Sequence, residues 1–357
     1  MTTSPSFDPS EALRADINRL LDRAPTMKHG ELIQLALAAI VRMSEDEIDR
    51  LDWKILNASL QDMERAFRAF YPYRHVRKIS IFGSARIAPK TPEYDMAVEF
   101  ARRITDVGFM VMTGAGPGIM QAGNEGAGRE KSFGLNIQLP FEQGSNPYIE
   151  GDRKLIPFKY FFTRKLFFLK ESDALALFPG GFGTLDEAFE CLTLSQTGKS
   201  APMPLVLIDC PGGHYWHDWL EHVEKQLLKR RLISPDDFSL FTITDNLDTA
   251  CDAIAQFYRV FHSCRYIGNR LVIRLNTDIS ETAVAELNQN FSDILLKGQI
   301  EKSHALPQEA QDMSIGKSRL LLHFNQRDLG RLYQMIGVIN QLGSQLQPED
   351  SQHPERK

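Results

Sequence analysis

The chain reads as an α/β protein: a parallel sheet with helices on both faces, a helical extension in front and a small α+β appendage behind. Three observations predict it. From residue 76 onward, short apolar runs alternate with helical stretches, as strand–helix–strand crossovers require. Runs such as Ala174-Leu-Ala-Leu-Phe178 are apolar throughout, the pattern of a strand buried on both faces. Two glycine-rich segments, at 114–118 and 179–184, each stand between the end of a strand and the start of a helix.

Each element follows from its pattern. Residues 1–9 are rich in Ser, Thr and Pro and read as a disordered tail. Apolar residues at helical spacing then predict a helix to about residue 23 and another over 30–43, with Leu32, Ile33, Leu35 and Ala36 on its apolar face. A third helix runs from about 45 to 71, with a break around Asp52. Strands follow at 78–82, 109–113, 132–139, 174–178 and 204–209, separated by helices at 93–107, 119–128, 161–172 and 185–197. Residues 140–157 have loop character, and helices at 214–231 and 247–262 close the region. The order strand 271–275, helix 280–296, strand 298–305, strand 319–324, helix 328–342 gives the α+β appendage. The expected division is a helical extension at 1–75, a Rossmann-like domain at 76–262, a small α+β domain at 263–345 and a disordered tail at 346–357.

Composition narrows the function. A formal net charge of -5 argues against general binding to nucleic acid or anionic membranes, which needs a basic excess. The four cysteines (Cys191, Cys210, Cys251 and Cys264) form no C-x-x-C and suit neither a zinc site nor a disulfide framework. No metal or cofactor is expected. No secretory leader and no apolar run of about 18 residues is present, so a cytoplasmic protein is expected.

Glycine loops at strand ends let backbone N–H groups converge, and a following helix N-terminus adds positive potential, so such loops recruit anions. The loop Gly114-Ala-Gly-Pro-Gly118 is not the dinucleotide fingerprint, because Ile119 stands where its third glycine would be. By itself it reads either as a tight turn or as a phosphate or ribose contact. Pro179-Gly180-Gly181-Phe182-Gly183-Thr184 is richer. Thr184 can cap the next helix or donate to a phosphate oxygen. Glu187, three residues on, is either the partner in a capping box or a carboxylate held at a ligand. Arg164-Lys165, in an aromatic helix, is either a solvated pair or an arginine aimed at a phosphate or carboxylate.

Together, Phe82-Gly83-Ser84-Ala85, Thr113-Gly-Ala-Gly-Pro-Gly-Ile-Met120, Thr163-Arg164-Lys165 and Pro179-Gly-Gly-Phe-Gly-Thr-Leu-Asp-Glu187 resemble the LONELY GUY (LOG) family, also labelled lysine decarboxylase-like. The resemblance covers about residues 76–262. It implies a nucleoside 5′-monophosphate phosphoribohydrolase acting on AMP-like or cytokinin riboside monophosphates, with a small-molecule nucleotide as its partner and a homodimer or larger homo-oligomer as its form. It also implies that Arg164 and Glu187 are the catalytic pair. Gly180, Gly181, Gly183 and Thr184 would cradle phosphate, beside Lys165. Gly83, Ser84, Gly116, Gly118 and Met120 would line the nucleotide. Ala115 and Pro117 depart from the longer glycine run of compact plant-type members.

Two rivals remain open at this stage. One is a non-catalytic nucleotide or cofactor carrier on the same fold. The other is a pyridoxal-phosphate decarboxylase, but no arrangement marks Lys159, Lys165 or Lys170 as a Schiff-base lysine. Glu142, Asn146 and Tyr148 read as either a lid or an ordinary connection. Gly316-Lys317-Ser318 reads as a chance likeness to the end of a Walker A loop.

Overall fold

The computed structural model describes residues 9–138, 144–310 and 312–344. The tails expected at 1–9 and 346–357 lie outside these residues, apart from Pro9. The chain falls into two compact units that part between Gln61 and Asp62.

The first unit holds α1 (Pro9–Arg23), α2 (Gly30–Glu45) and the start of α3 (Arg50–Phe70). The break expected near Asp52 falls earlier, at 46–49, and α3 then runs on without interruption.

The second unit opens its sheet with β1 (Lys78–Phe82), α4 (Pro92–Asp106), β2 (Met110–Thr113), α5 (Ile119–Ala127) and β3 (Ser132–Ile137). It continues with β4 (Leu155–Phe158), α6 (Phe161–Glu171), β5 (Ala174–Leu177), α7 (Phe182–Gln196), β6 (Leu205–Ile208), α8 (Tyr215–Val223), β7 (Thr242–Thr244) and α9 (Leu247–Phe257). The seven strands are parallel and lie in the order β4-β3-β2-β1-β5-β6-β7. This is a Rossmann-like sheet with helices on both faces. The pleat sorts its side chains. Ile79, Ile81, Val111, Ala174, Ala176, Val206 and Ile208 pack with α4, α5 and α9 on one face. Met110, Met112, Leu175, Leu177, Leu205 and Leu207 pack with α6, α7, α8 and the last turns of α3 on the other.

The chain then forms β8 (Phe261–Ile267), β9 (Arg270–Leu275), α10 (Glu281–Asn290), β10 (Leu295–Ser303), β11 (Ser318–Phe324) and α11 (Leu329–Ser344). The four strands make an antiparallel sheet in the order β10-β11-β9-β8, with α10 and α11 packed on a shared apolar core. Ser318 opens a strand, not a helix, so Gly316-Lys317-Ser318 has no P-loop geometry.

Three strands differ from expectation. β4 lies in the stretch read as loop, because Pro157 and its short length hide it. β7 has three residues, two of them threonine. β8 starts where the helix expected at 247–262 was to end, since α9 stops at Phe257. Among the described residues, no helix is long and apolar enough to cross a membrane.

Candidate functional site

The chain lays down β1 to β4 outward on one side, then returns to place β5, β6 and β7 on the other side of β1. A crevice opens at the carboxyl ends of the strands where such a reversal occurs. Here the loops after β1, β2 and β5 meet. The Ser84 N–H donates to Pro179 O (3.0 Å), and the Ile119 N–H donates to Ser84 O (3.1 Å), so the three loops are stitched together. Two glycines make this approach possible. Gly118 has φ +67°, and a Cβ there would lie 2.3 Å from Ser84 O. A Cβ on Gly180 would lie 2.1 Å from Thr184 Oγ1.

The cleft above these loops has a volume of about 680 Å³. Gly83, Ser84, Met120, Arg164, Gly181, Gly183, Thr184 and Glu187 line it. The structure does not bring the remaining expected residues to its wall. Gly116 packs against Met120, and Gly118 and Gly180 shape the loops from behind. Lys165 turns away, its Nζ bridging Asp186 (2.6 Å) and Glu190 (2.8 Å) of α7. Burial lowers the Lys165 pKa and these carboxylates, with Glu187, carry it above its ordinary value.

Helix α7 begins earlier than its glycines suggest. Gly181 is its N-cap and Thr184 lies inside the first turn. The capping box open in the sequence, with Thr184 as cap and Glu187 as third residue, is therefore not formed. Instead, the first-turn N–H groups of Phe182, Gly183 and Thr184 have no partner within the helix and sit on the cleft wall, beside the positive end of the helix dipole. Helix α8 braces this loop from below: Tyr215 Oη donates to Gly180 O (2.6 Å) and Trp216 Nε1 to Leu177 O (3.0 Å).

Arg164 and Glu187 face the cleft from two helices. The Arg164 guanidinium lies against the rings of Phe161 (4.8 Å) and Phe168 (5.7 Å), and its buried Nε has no hydrogen-bond partner. Burial lowers its pKa, and Glu187 opposes the shift. Glu187 is 5% exposed, and its Oε2 is buried without a partner. Burial pushes the Glu187 carboxyl up to about 7 against the pull of Lys165 and Arg164, with Asp186 and Glu190 adding to the rise. A buried charge normally acquires partners. Here two opposite charges keep unfilled hydrogen-bonding capacity in the same cleft.

Sequence reasoning missed Arg86 and the aromatic walls. Arg86 is exposed on the cleft rim, its N–H donating to Ser84 Oγ (3.1 Å). Its place two residues past the Gly83-Ser84 turn was the available signal. Phe161, Phe168 and Phe182 line the cleft as well, and Phe182 is 93% exposed. Asn146 proves to be a tie and not a lid. It is buried, takes Ala115 O with its N–H (2.8 Å), and donates from Nδ2 to Gly116 O (3.2 Å) and Asn124 Oδ1 (3.0 Å). These bonds hold Ala115 at φ 60°. Tyr148 is half-buried near Glu125, and Glu142 lies outside the described residues.

A cleft of about 720 Å³ between β6, α9 and α11 offers no carboxylate, histidine, cysteine or lysine. No group of three His, Cys, Asp or Glu side chains placed for a metal occurs among the described residues. Lys159 and Lys170 do not line the glycine-loop cleft.

Strand order and loop placement put the chain in the Rossmann-like class of α/β proteins, with a crevice at the sheet's switch point. Residues 112–254 match the family described as possible lysine decarboxylase. Over 92 residues the chain is 36% identical to the cytokinin riboside 5′-monophosphate phosphoribohydrolase of Mycobacterium tuberculosis (strain ATCC 25618 / H37Rv), a match that spans 26% of this chain and 47% of that relative. The family match lies within the α/β part of the chain, and the chain spans less than half the length of that relative. Among solved structures, a molybdenum cofactor binding protein from Rippkaea orientalis aligns at 17% identity, over 50% of this chain and 96% of that one, with a TM-score of 0.35. The molybdenum cofactor carrier protein of Chlamydomonas reinhardtii aligns at 19% identity, over 51% and 98%, with a TM-score of 0.35.

Proposed function

We propose that this protein hydrolyses the N-glycosidic bond of nucleoside 5′-monophosphates, giving a free base and ribose 5-phosphate. The observation that carries the proposal is Glu187: a buried carboxyl on the cleft wall, with an unpartnered oxygen and a pKa of about 7, coupled to Arg164. A cleft that only held phosphate would gain nothing from a carboxylate beside it. The name of the Mycobacterium relative supports the same reading.

In this reading the phosphate sits at the first turn of α7, where Phe182, Gly183 and Thr184 present N–H groups, and Arg86 at the rim adds the exposed cation. The C1′–N bond breaks with its electron pair going to the base, leaving an oxocarbenium-like ribosyl centre. A water oxygen then bonds to C1′, and a proton passes to the base. Ionised Glu187 stabilises the cationic centre, orients the ribose hydroxyls or takes the proton from water. Arg164 holds the phosphate, or the base as negative charge builds on it. Phosphate contacts far from the breaking bond supply orientation.

The test is incubation of the purified protein with AMP and a panel of other monophosphates, with chromatography for released base. Release that disappears in Glu187→Gln supports the proposal. Tight AMP binding without turnover, unchanged in Glu187→Gln, would instead mark a nucleotide carrier. The same reading expects a homodimer or larger, for which Phe161, Phe162 and Leu166 on α6 and Phe189 on α7 offer an exposed apolar surface. Light scattering measures it.

A further inference from the structure

Helix α6 carries Arg164 but does not cap itself. Its N-cap is Tyr160, whose side chain makes no capping bond. The two backbone N–H groups just before this helix, and the Thr163 hydroxyl in its first turn, are held by one side chain from far away in the chain. Asp62, in the last turns of α3, is fully buried. Its Oδ2 accepts from Thr163 Oγ1 (2.7 Å), Lys159 N (3.1 Å) and Tyr160 N (3.3 Å). Its Oδ1 accepts from Arg65 Nη2 (2.6 Å) and more weakly from Lys159 N (3.2 Å). The Thr163 hydroxyl also reaches Tyr160 O (2.9 Å), so Asp62 and Thr163 together lock the first turn. A carboxylate at a helix N-terminus is favoured by the helix dipole as well as by these bonds.

Thr163 directly precedes Arg164. The Arg164 guanidinium has little of its own to fix it: two ring faces, and an Nε without a partner. Its position in the cleft is therefore set by the rotation and height of α6. At the other end of the same frame, Lys165 ties α6 to the Asp186 and Glu190 carboxylates of α7, the helix of Glu187.

We infer that Asp62 is a positioning residue for Arg164: by capping α6 from outside the glycine-loop cleft, it sets the distance of the guanidinium from Glu187 and from the bound nucleotide. This rests on the proposed site. It goes further by assigning a role to a residue 101 positions before Thr163 and outside the family motifs. Asp62 touches neither the cleft nor any reacting atom.

The experiment compares Asp62→Ala, Asp62→Asn and Thr163→Val in the full chain. Misplacing a catalytic group by about 1 Å costs on the order of 10²-fold in rate. Asp62→Ala is expected to lose about that much in kcat, and Asp62→Asn, which keeps one acceptor, to recover part of it. Thr163→Val is expected to lose less, in the same direction. The discriminating readout is the titration of Glu187, followed by carbon NMR of labelled glutamate with Glu187→Gln for assignment. Arg164 and Lys165 hold the Glu187 pKa down, while Asp186 and Glu190 hold it up. If Arg164 withdraws, the Glu187 pKa rises, and it rises in proportion to the loss of kcat across the three variants. Loss of melting temperature with an unmoved Glu187 titration would overturn the inference and leave Asp62 a purely structural cap. If Asp62→Ala does not fold, Asp62→Asn and Thr163→Val give the same comparison. If the parent protein releases no base, the function proposal fails, while the Glu187 titration still decides the role of Asp62.

Discussion

Two buried glutamates, one in each sheet region, show how alike a site and a strut can look until their partners are compared. Glu187 of α7 and Glu309, in the turn before β11, are 5% and 1% exposed. Burial would raise both. Glu309 accepts from Arg274 Nη2 (2.7 Å), Leu306 N (3.0 Å) and Arg319 Nε (2.8 Å), and these bonds overcome burial and hold its carboxyl at about 2. Glu187 faces Arg164 across a cleft with an oxygen unpartnered, and it is pushed up to about 7. Both Glu309 oxygens are filled, and they brace the antiparallel sheet. Glu187 keeps an unfilled oxygen, which the proposed substrate would complete.

The comparison can be broken in four places. The largest effect belongs to Glu309. Glu309→Ala removes the carboxylate that Arg274 and Arg319 share, leaving Arg274 with Asp312 and Arg319 with the Ser314 and Ile315 carbonyls, and breaking a buried pair from one side costs roughly 3–5 kcal/mol, of which the lower end is expected here. Chemical denaturation should show this loss, with base release per folded molecule unchanged. Next, Glu187→Gln and Arg164→Ala should each cut the rate of base release by on the order of 10²–10³, with little loss of stability. Initial rates on AMP check this. If Glu187 works ionised, kcat/KM of the parent protein should climb as pH rises through about 7.

A third effect has the opposite sign in stability. A carboxyl whose folded pKa is raised binds its proton more tightly when folded. The associated stability is full below about 4.5 and is lost as pH rises through about 7. Glu187→Gln should therefore gain on the order of 3 kcal/mol over the parent at pH 8 and nothing at pH 4. A thermal melt at each pH measures it, and a gain at both would show that the carboxyl is not destabilised by burial. The smallest effect is expected at Arg86, which is exposed and screened by solvent. Arg86→Ala should raise KM for AMP about tenfold, with kcat kept, and the effect should shrink in high salt.

Much of this architecture is legible in the chain. Apolar runs ending in glycine reveal β1, β2 and β5, because parallel strands are buried on both faces and their loops turn tightly at one edge. The short edge strands were not legible, since β4 contains Pro157 and β7 is two-thirds threonine. The start of α7 was hidden by Gly183, a poor helix former in the middle of a first turn. Within the cleft, Gly181, Glu187 and Arg164 could be picked from the sequence, but the outward turn of Lys165 depends on the carboxylates across the α6–α7 contact. Asp62 had no signal at all. Apart from Arg65 three residues on, its partners are about a hundred residues away, and no spacing rule reaches that far.

The margins of the large sheet have a consequence for how this protein behaves at high concentration. Its outer strands are four and three residues long, and one of them carries a proline paired opposite Asn136. Such borders give a foreign strand few free backbone groups to zip onto. The small sheet guards its longest border differently: β10 shifts register twice and carries Lys297, Glu301 and Lys302. Edge-to-edge growth into fibrils is therefore disfavoured on these three borders.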